Sequence, residues 1–167
     1  MSKNTICLFF LIYLFILLHF FEYPKFFALT GIIIYSLNDM IMPPRLRADM
    51  FIHHCLVIML SCYGLINIRF PWGFIKLFLE TEYSTPFLVF KHYGVRHWVN
   101  SVLFLISFSY FRIYKLSIAL FFDAIEYKLN VFEYFLVISL YILNLYWYKK
   151  ILTIGFSMIP RLFIRFI

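Results

Sequence analysis

An acid and two adjacent imidazoles occur together in Asp49-Met50-Phe51-Ile52-His53-His54, just ahead of an apolar run from Cys55 to Ile68. On a helix Asp49 and His53 share a face, and His54 is turned by about 100° from His53. An imidazole oriented by a carboxylate can act as a general base, or as a nucleophile that carries an acyl group. His53, His54 and Asp49 are therefore the candidate catalytic set. A plainer reading fits the same residues: an acid in a first helical turn complements the helix dipole, and a histidine can reach toward lipid headgroups. Further polar groups interrupt neighbouring apolar stretches. Asp39 lies in the segment 26–42 with Tyr35 four residues before it, and Glu80 and Glu82 lie in the segment 70–90 with Lys76 four residues before Glu80. Ionisable groups inside apolar helices are costly and usually mark a working site. Asp39, Glu80, Glu82 and Lys76 are thus candidate polar groups of a cavity, and a cavity with apolar walls and few polar groups suits an acyl chain with a polar head.

The elements that would position these residues follow from composition. The chain of 167 residues is 64% hydrophobic, 23% aromatic and only 14% charged, with a mean hydropathy of +0.89. This composition departs from that of soluble domains and places the chain in the membrane class. Apolar runs at 6–21, 26–42, 49–68, 99–114 and 131–148 read as spanning helices. Residues 70–90 form a sixth if their polar face is turned into a bundle, and an in-plane amphipathic helix if it is not. The expected fold is an all-α polytopic transmembrane helical bundle of about six spans, or five if residues 70–90 do not cross. It divides into a first span or signal anchor at 1–25, a main membrane domain at 26–155 and a basic apolar tail at 156–167. The run 116–122 is too short to cross and suggests a hairpin before the last span; Lys149-Lys150 should stop that span, and Pro160 argues against a further one. With six spans, Arg45, Arg47, Lys91, Arg96, Lys149 and Lys150 fall on one side, which places both termini in the cytosol.

The net charge of +7 arises from Lys and Arg that punctuate apolar segments. They read as topology signals and headgroup partners, and nucleic acid is not an expected partner. Cys7, Cys55 and Cys62 lie in apolar runs without a CxxC spacing, and the histidines form no HExxH motif; no metal site is expected. Gly-rich phosphate loops and GxSxG elbows are also absent from the sequence.

Several stretches, taken in order, resemble the TLC-domain family, which includes ceramide synthases. They are Tyr35-Ser36-Leu37-Asn38-Asp39, Arg47-Ala48-Asp49 leading into His53-His54, Asn67-Ile68-Arg69 before Gly73, Glu82-Tyr83-Ser84-Thr85-Pro86-Phe87, and Asn144-Leu145-Tyr146-Trp147. They cover roughly residues 26–155. The resemblance implies a six-helix bundle around a lipid-accessible cavity, in the endoplasmic reticulum or a related membrane. It further implies a protein that binds membrane lipids or modulates lipid composition. A ceramide-synthase-like N-acyltransferase, with acyl-CoA as co-substrate and no other cofactor, is the alternative; a non-catalytic trafficking or scaffold protein is a third. The Asp-x-x-Asp of ceramide synthases is replaced here by Glu80-Thr81-Glu82-Tyr83-Ser84-Thr85-Pro86-Phe87, in the style of the small TLC-domain-containing subfamily. The skew toward Phe, Ile, Tyr, Lys and Asn suits an AT-rich coding genome, such as that of a giant virus or protist.

Overall fold

A computed structural model of the chain describes residues 3–21, 25–41, 47–67, 69–92 and 98–164, with the side chains of 3, 4, 91, 92, 123, 124 and 155–164 excepted. The described residues form six helices and no strand: α1 (Lys3–Phe20), α2 (Lys25–Ile41), α3 (Ala48–Ile66), α4 (residues 72–92), α5 (residues 98–126) and α6 (Val131–Ile164). The Pro43-Pro44 break and the basic connection at 91–97 lie outside the described residues, apart from the backbone of Lys91 and His92.

Three helical stretches, Ala48–Ile66, Trp98–Phe122 and Val131–Ile154, are long and apolar enough to cross a membrane, and Thr5–Phe20 is a shorter apolar helix. Their outward faces carry large apolar side chains in the open: Phe20 is 75% exposed, Ile66 83% and Val131 89%. Extensive exposed apolar surface of this kind is what a lipid-facing protein presents.

Two helices are irregular for identifiable reasons. In α4 a 3₁₀ turn, Thr81–Ser84, separates the α-helical pieces Trp72–Glu80 and Thr85–His92. Here Thr81 donates its hydroxyl to the Phe78 carbonyl at 2.7 Å, and Ser84 donates to the Thr81 carbonyl at 3.1 Å. Short hydroxyl side chains compete with the backbone for these carbonyls, and the turn tightens immediately before Pro86, which has no N–H to return. In α5 two π-helical segments, Ser109–Lys115 and Ala119–Asp123, carry the helix on through the run at 116–122. The hairpin expected there is instead a continuation of the same helix, and the chain turns only around Lys128, whose φ is +50°. After the turn, Asn130 and Glu133 cap α6 reciprocally: Asn130 Oδ1 accepts from the Glu133 N–H at 3.0 Å and Glu133 Oε2 accepts from the Asn130 N–H at 2.7 Å. The helix then continues past Lys149-Lys150 and through Pro160 to Ile164.

The helices close into a ring. Helix α1 packs on α2, α2 on α3, α3 on α6, α6 on α5 and α5 on α4, and the second half of α4 returns to α1. Within the ring the interior divides along the axis. One half holds an apolar core in which Leu14, Leu29, Ile32, Phe74, Leu79 and Leu136 are essentially inaccessible. The other half collects Asp39, His53, His54, Glu82, Arg112 and Asn144, all buried. Neighbouring α2 and α3 run antiparallel, as the contacts at their two ends show. Asp39 meets His54 at one end, and at the other Lys25 Nζ donates to the carbonyls of Asn67 (3.1 Å) and Phe70 (3.2 Å).

Candidate functional site

The polar half of the ring is built from all six helices through a chain of side-chain contacts. It begins on α1, where Cys7 Sγ lies 3.3 Å from the Tyr35 hydroxyl of α2. The Tyr35 ring stacks on Phe10 at 4.4 Å and meets His54 of α3 edge-on at 6.4 Å. Asp39, one helical turn beyond Tyr35, places Oδ2 at 2.9 Å from His54 Nε2. Both groups are buried, so this is a desolvated acid–imidazole pair.

The adjacent His53 ring sits 5.3 Å from His54 and 5.0 Å from Trp147 of α6. Trp147 donates its indole N–H to Asp49 Oδ2 at 3.0 Å. Asp49 is also held by the Arg47 guanidinium, and Lys150 Nζ lies 3.7 Å from the same carboxylate oxygen. The Asp49 carboxylate therefore ties the first turn of α3 to α6 at the mouth of the ring, with Trp147 between it and His53. The same-face relation of Asp49 and His53 is real along the helix, yet the carboxylate that meets an imidazole is Asp39, and the imidazole it meets is His54. The physical reason is competition: Asp49 is half-buried beside two cations and an indole donor, which are stronger partners than a neutral ring.

The opposite wall is organised by Arg112, on the first π segment of α5 and only 6% exposed. Its Nε donates to the Thr81 carbonyl (3.1 Å) and Ser84 Oγ (2.9 Å). Its Nη1 reaches Asn144 Oδ1 at 3.4 Å, while Nη2 donates to Glu82 Oε1 and Thr85 Oγ1, each at 3.1 Å. Thr85 in turn donates to Glu82 Oε2 at 2.8 Å. The 3₁₀ turn of α4 is what aims the Thr81 carbonyl, Glu82 and Ser84 at one guanidinium, and the π segment of α5 is what brings that guanidinium inside. Insertions of this kind occur in helices where a side chain must be re-aimed.

Of the residues singled out from sequence, His53, His54, Asp39 and Glu82 converge in this centre. Asp49 stands at its mouth. Glu80 points elsewhere and accepts from Lys115 Nζ at 2.6 Å, rather than pairing with Lys76 one turn earlier on its own helix; Lys76 is half-buried outside the network. Arg112, Trp147, Asn144 and the Ser84–Thr85 hydroxyls were not among the candidates. The span expected at 99–114 ends just past Arg112, and the signal that would have placed it inside is the apolar run 116–122 resuming after it.

Satisfaction of the polar atoms is uneven. Among the described residues the buried side-chain atoms without a hydrogen-bond partner are Nδ1 of His53, Nδ1 of His54 and Ser61 Oγ. Buried polar atoms are nearly always partnered, and an exception calls for an explanation. No group of three His, Cys, Asp or Glu side chains among the described residues is arranged to hold a metal ion. Chemically, the Asp39–His54 pair can hold and move a proton, while Arg112 is already neutralised. No family model matches the chain, and neither a curated protein nor a solved structure matches it.

Proposed function

We propose that this chain is a six-span integral membrane protein that binds membrane lipids or modulates lipid composition, with the polar half of its ring receiving the lipid head. The observation that carries this reading is the pair of unpartnered imidazole nitrogens buried beside each other at His53 and His54. Leaving two such atoms unsatisfied costs roughly 1–3 kcal/mol each, a cost that a bound polar head offsets. The apolar exterior supports a bilayer setting, and α1, α2 and α4 are the three spans that complete six. On this reading the TLC-domain resemblance names the family, the endoplasmic reticulum or a related membrane is the location, and both termini are cytosolic.

The test is photolabelling. Cells expressing the full chain are fed a photoactivatable, alkyne-bearing fatty acid, which is incorporated into their lipids, and are then irradiated. Saturable labelling that falls in His53→Gln/His54→Gln is expected; labelling no stronger than that of an unrelated six-span protein overturns the reading.

A second reading, N-acyl transfer from acyl-CoA, is favoured by the 2.9 Å contact between Asp39 and His54, since a carboxylate-held imidazole is a competent general base. Expression in cells lacking ceramide synthase tests it: long-chain-base acylation abolished by His54→Ala supports the enzyme, and no product from well-folded protein removes it.

A further inference from the structure

We propose that the C-terminal extension of α6 is a basic amphipathic helix that docks on the membrane surface beside the mouth of the ring and recognises anionic lipid there. It needs only that α6 crosses the bilayer, and it is separate from lipid reception at His53 and His54.

The extension begins where α6 leaves the ring. Helix α6 runs for 34 residues from Val131 to Ile164, a length of about 51 Å. The hydrocarbon core of a bilayer takes only about 20 helical residues, so a span that starts at Val131 is complete near Lys150. The contacts put the exit at the same place. Trp147 donates to Asp49 in the first turn of α3, and Lys150 Nζ lies 3.7 Å from that carboxylate. Since α3 begins at Ala48, residues 151–164 carry α6 past the level at which its neighbour starts. Ile154, already on this extension, is 57% exposed.

The sequence of the extension divides by helical position. At about 100° per residue, Lys149, Lys150, Thr153, Ser157 and Arg161 fall within one arc of about 120°, shared only with Pro160 and Ile164. The rest of the circumference between 149 and 164 has no polar position; Phe156, Met158, Ile159, Leu162 and Phe163 belong to it. Residues 149–167 contain Lys149, Lys150, Arg161 and Arg165 and no acidic residue. A basic polar face opposite Phe, Leu and Ile is the composition of helices that lie in a membrane interface.

The width of the apolar arc and the sign of the charge select the occupant. A second copy of the helix would dock through a seam, which uses a narrow stripe, whereas here well over half of the circumference is apolar. A bilayer is a continuous apolar phase that can take the whole arc, and the extension emerges directly from one. Basic residues without acids beside them are matched by an anionic surface, and on the topology proposed above this end meets the cytosolic leaflet, where anionic lipid is concentrated. Helix α6 is continuous in the structure, and Gly155 and Pro160 weaken it at the points where it can turn toward the membrane plane.

The experiment uses the full chain with dansylalanine in place of Met158 or, separately, Ser157, reconstituted at one chain per nanodisc. The discs are of phosphatidylcholine alone or with part of it replaced by phosphatidylserine, and quenching by acrylamide is measured. In the phosphatidylserine discs the probe at 158 should be blue-shifted and protected while the probe at 157 stays quenched, and high salt should weaken the protection. Arg161→Gln and Arg165→Gln should each lower the ratio of protected to quenched probe at 158 about fivefold. Equal quenching at 157 and 158 removes the docked helix. Equal protection at 158 in both kinds of disc, or arginine variants without effect, overturns the recognition of anionic lipid. Protection that appears only in discs loaded with two chains assigns the apolar arc to a second copy and overturns the proposal. None of these outcomes bears on photolabelling at His53 and His54, so the two readings fail separately.

Discussion

The two walls of the polar centre each contain a buried acid–base pair, Glu82 with Arg112 and Asp39 with His54, and they are finished very differently. Around Arg112, hydroxyls, an amide and a backbone carbonyl complete the geometry, and both Glu82 oxygens are engaged. Around His54 the ring meets Asp39 through Nε2, and Nδ1 of His54 and of the neighbouring His53 is buried without a partner. A completed network holds helices together; an incomplete one has capacity to spare for something else. The comparison separates a filled network between α4, α5 and α6 from an unfilled one between α2 and α3, although both are acid–base pairs at similar burial.

The strongest way to break that comparison is to remove the guanidinium. Arg112→Met leaves Glu82 buried without its counter-charge and takes a donor away from Asn144 Oδ1, Ser84 Oγ and the Thr81 carbonyl together. A loss of about 3–5 kcal/mol is expected for breaking a buried ion pair on one side, read as a large drop in denaturation midpoint in detergent. Arg112→Met/Glu82→Met should recover most of that loss, because a matched apolar pair carries no uncompensated charge. If the double variant is as unstable as the single one, the ion pair is not what the other groups are organised around.

The same logic applied to the wall at His54 predicts a smaller effect. His54→Phe removes one partner of a buried carboxylate and should cost about 1–3 kcal/mol. Asp39→Leu/His54→Phe removes the carboxylate, the imidazole and one unpartnered nitrogen together, and should recover part of that loss while losing lipid labelling. A double variant as damaged as Arg112→Met would mean that this wall is also a lock.

How far this division was visible beforehand depends on the kind of contact. Helix α3 was legible because its run from Cys55 is unbroken and Asp49 stands at its start. The pairing of His54 with Asp39 was not, since periodicity along one helix reports which residues share a face, whereas this pair joins residues 15 apart on two helices. Helix α5 departs from its sequence pattern for a related reason. Arg112 and Lys115 sit where span-ending charges are expected, and nothing in the local pattern announces that π-helical turns carry the helix onward with Arg112 turned inward. The acidic stretch of α4 was legible as a polar face that had to be buried, because Glu82 and its hydroxyl neighbours could not face lipid.

Ser61 offers a finer probe. Its hydroxyl is fully buried on α3, two turns beyond His54, and has no partner among the described residues. Ser61→Ala deletes the unsatisfied atom without opening a large void and should raise stability by up to about 1 kcal/mol. Stability that falls by that amount would show that the hydroxyl is engaged, and that the unpartnered character of this wall is confined to the imidazoles.

The smallest expected effect lies only three residues from the largest. Lys115 shares the π segment with Arg112, and both reach across to acids of α4, Lys115 to Glu80 and Arg112 to Glu82. Burial and geometry separate them. The Lys115 side chain keeps 27% of its surface and Glu80 keeps 14%, whereas Arg112 and Glu82 keep 7% each. An ammonium is a compact charge with no fixed fork, and Lys115 has alternative support from the Tyr110 and Phe111 rings at 5.6 Å and 5.3 Å. Glu80, unlike Glu82, can regain water when its partner leaves. Lys115→Ala should therefore cost no more than about 1 kcal/mol, shrinking further as salt is raised, while the cost of Arg112→Met should barely respond to salt because solvent ions do not reach a buried pair. Equal losses with equal salt dependence would place both pairs in the same environment and dissolve the distinction between an interior lock and a peripheral tether on one helix.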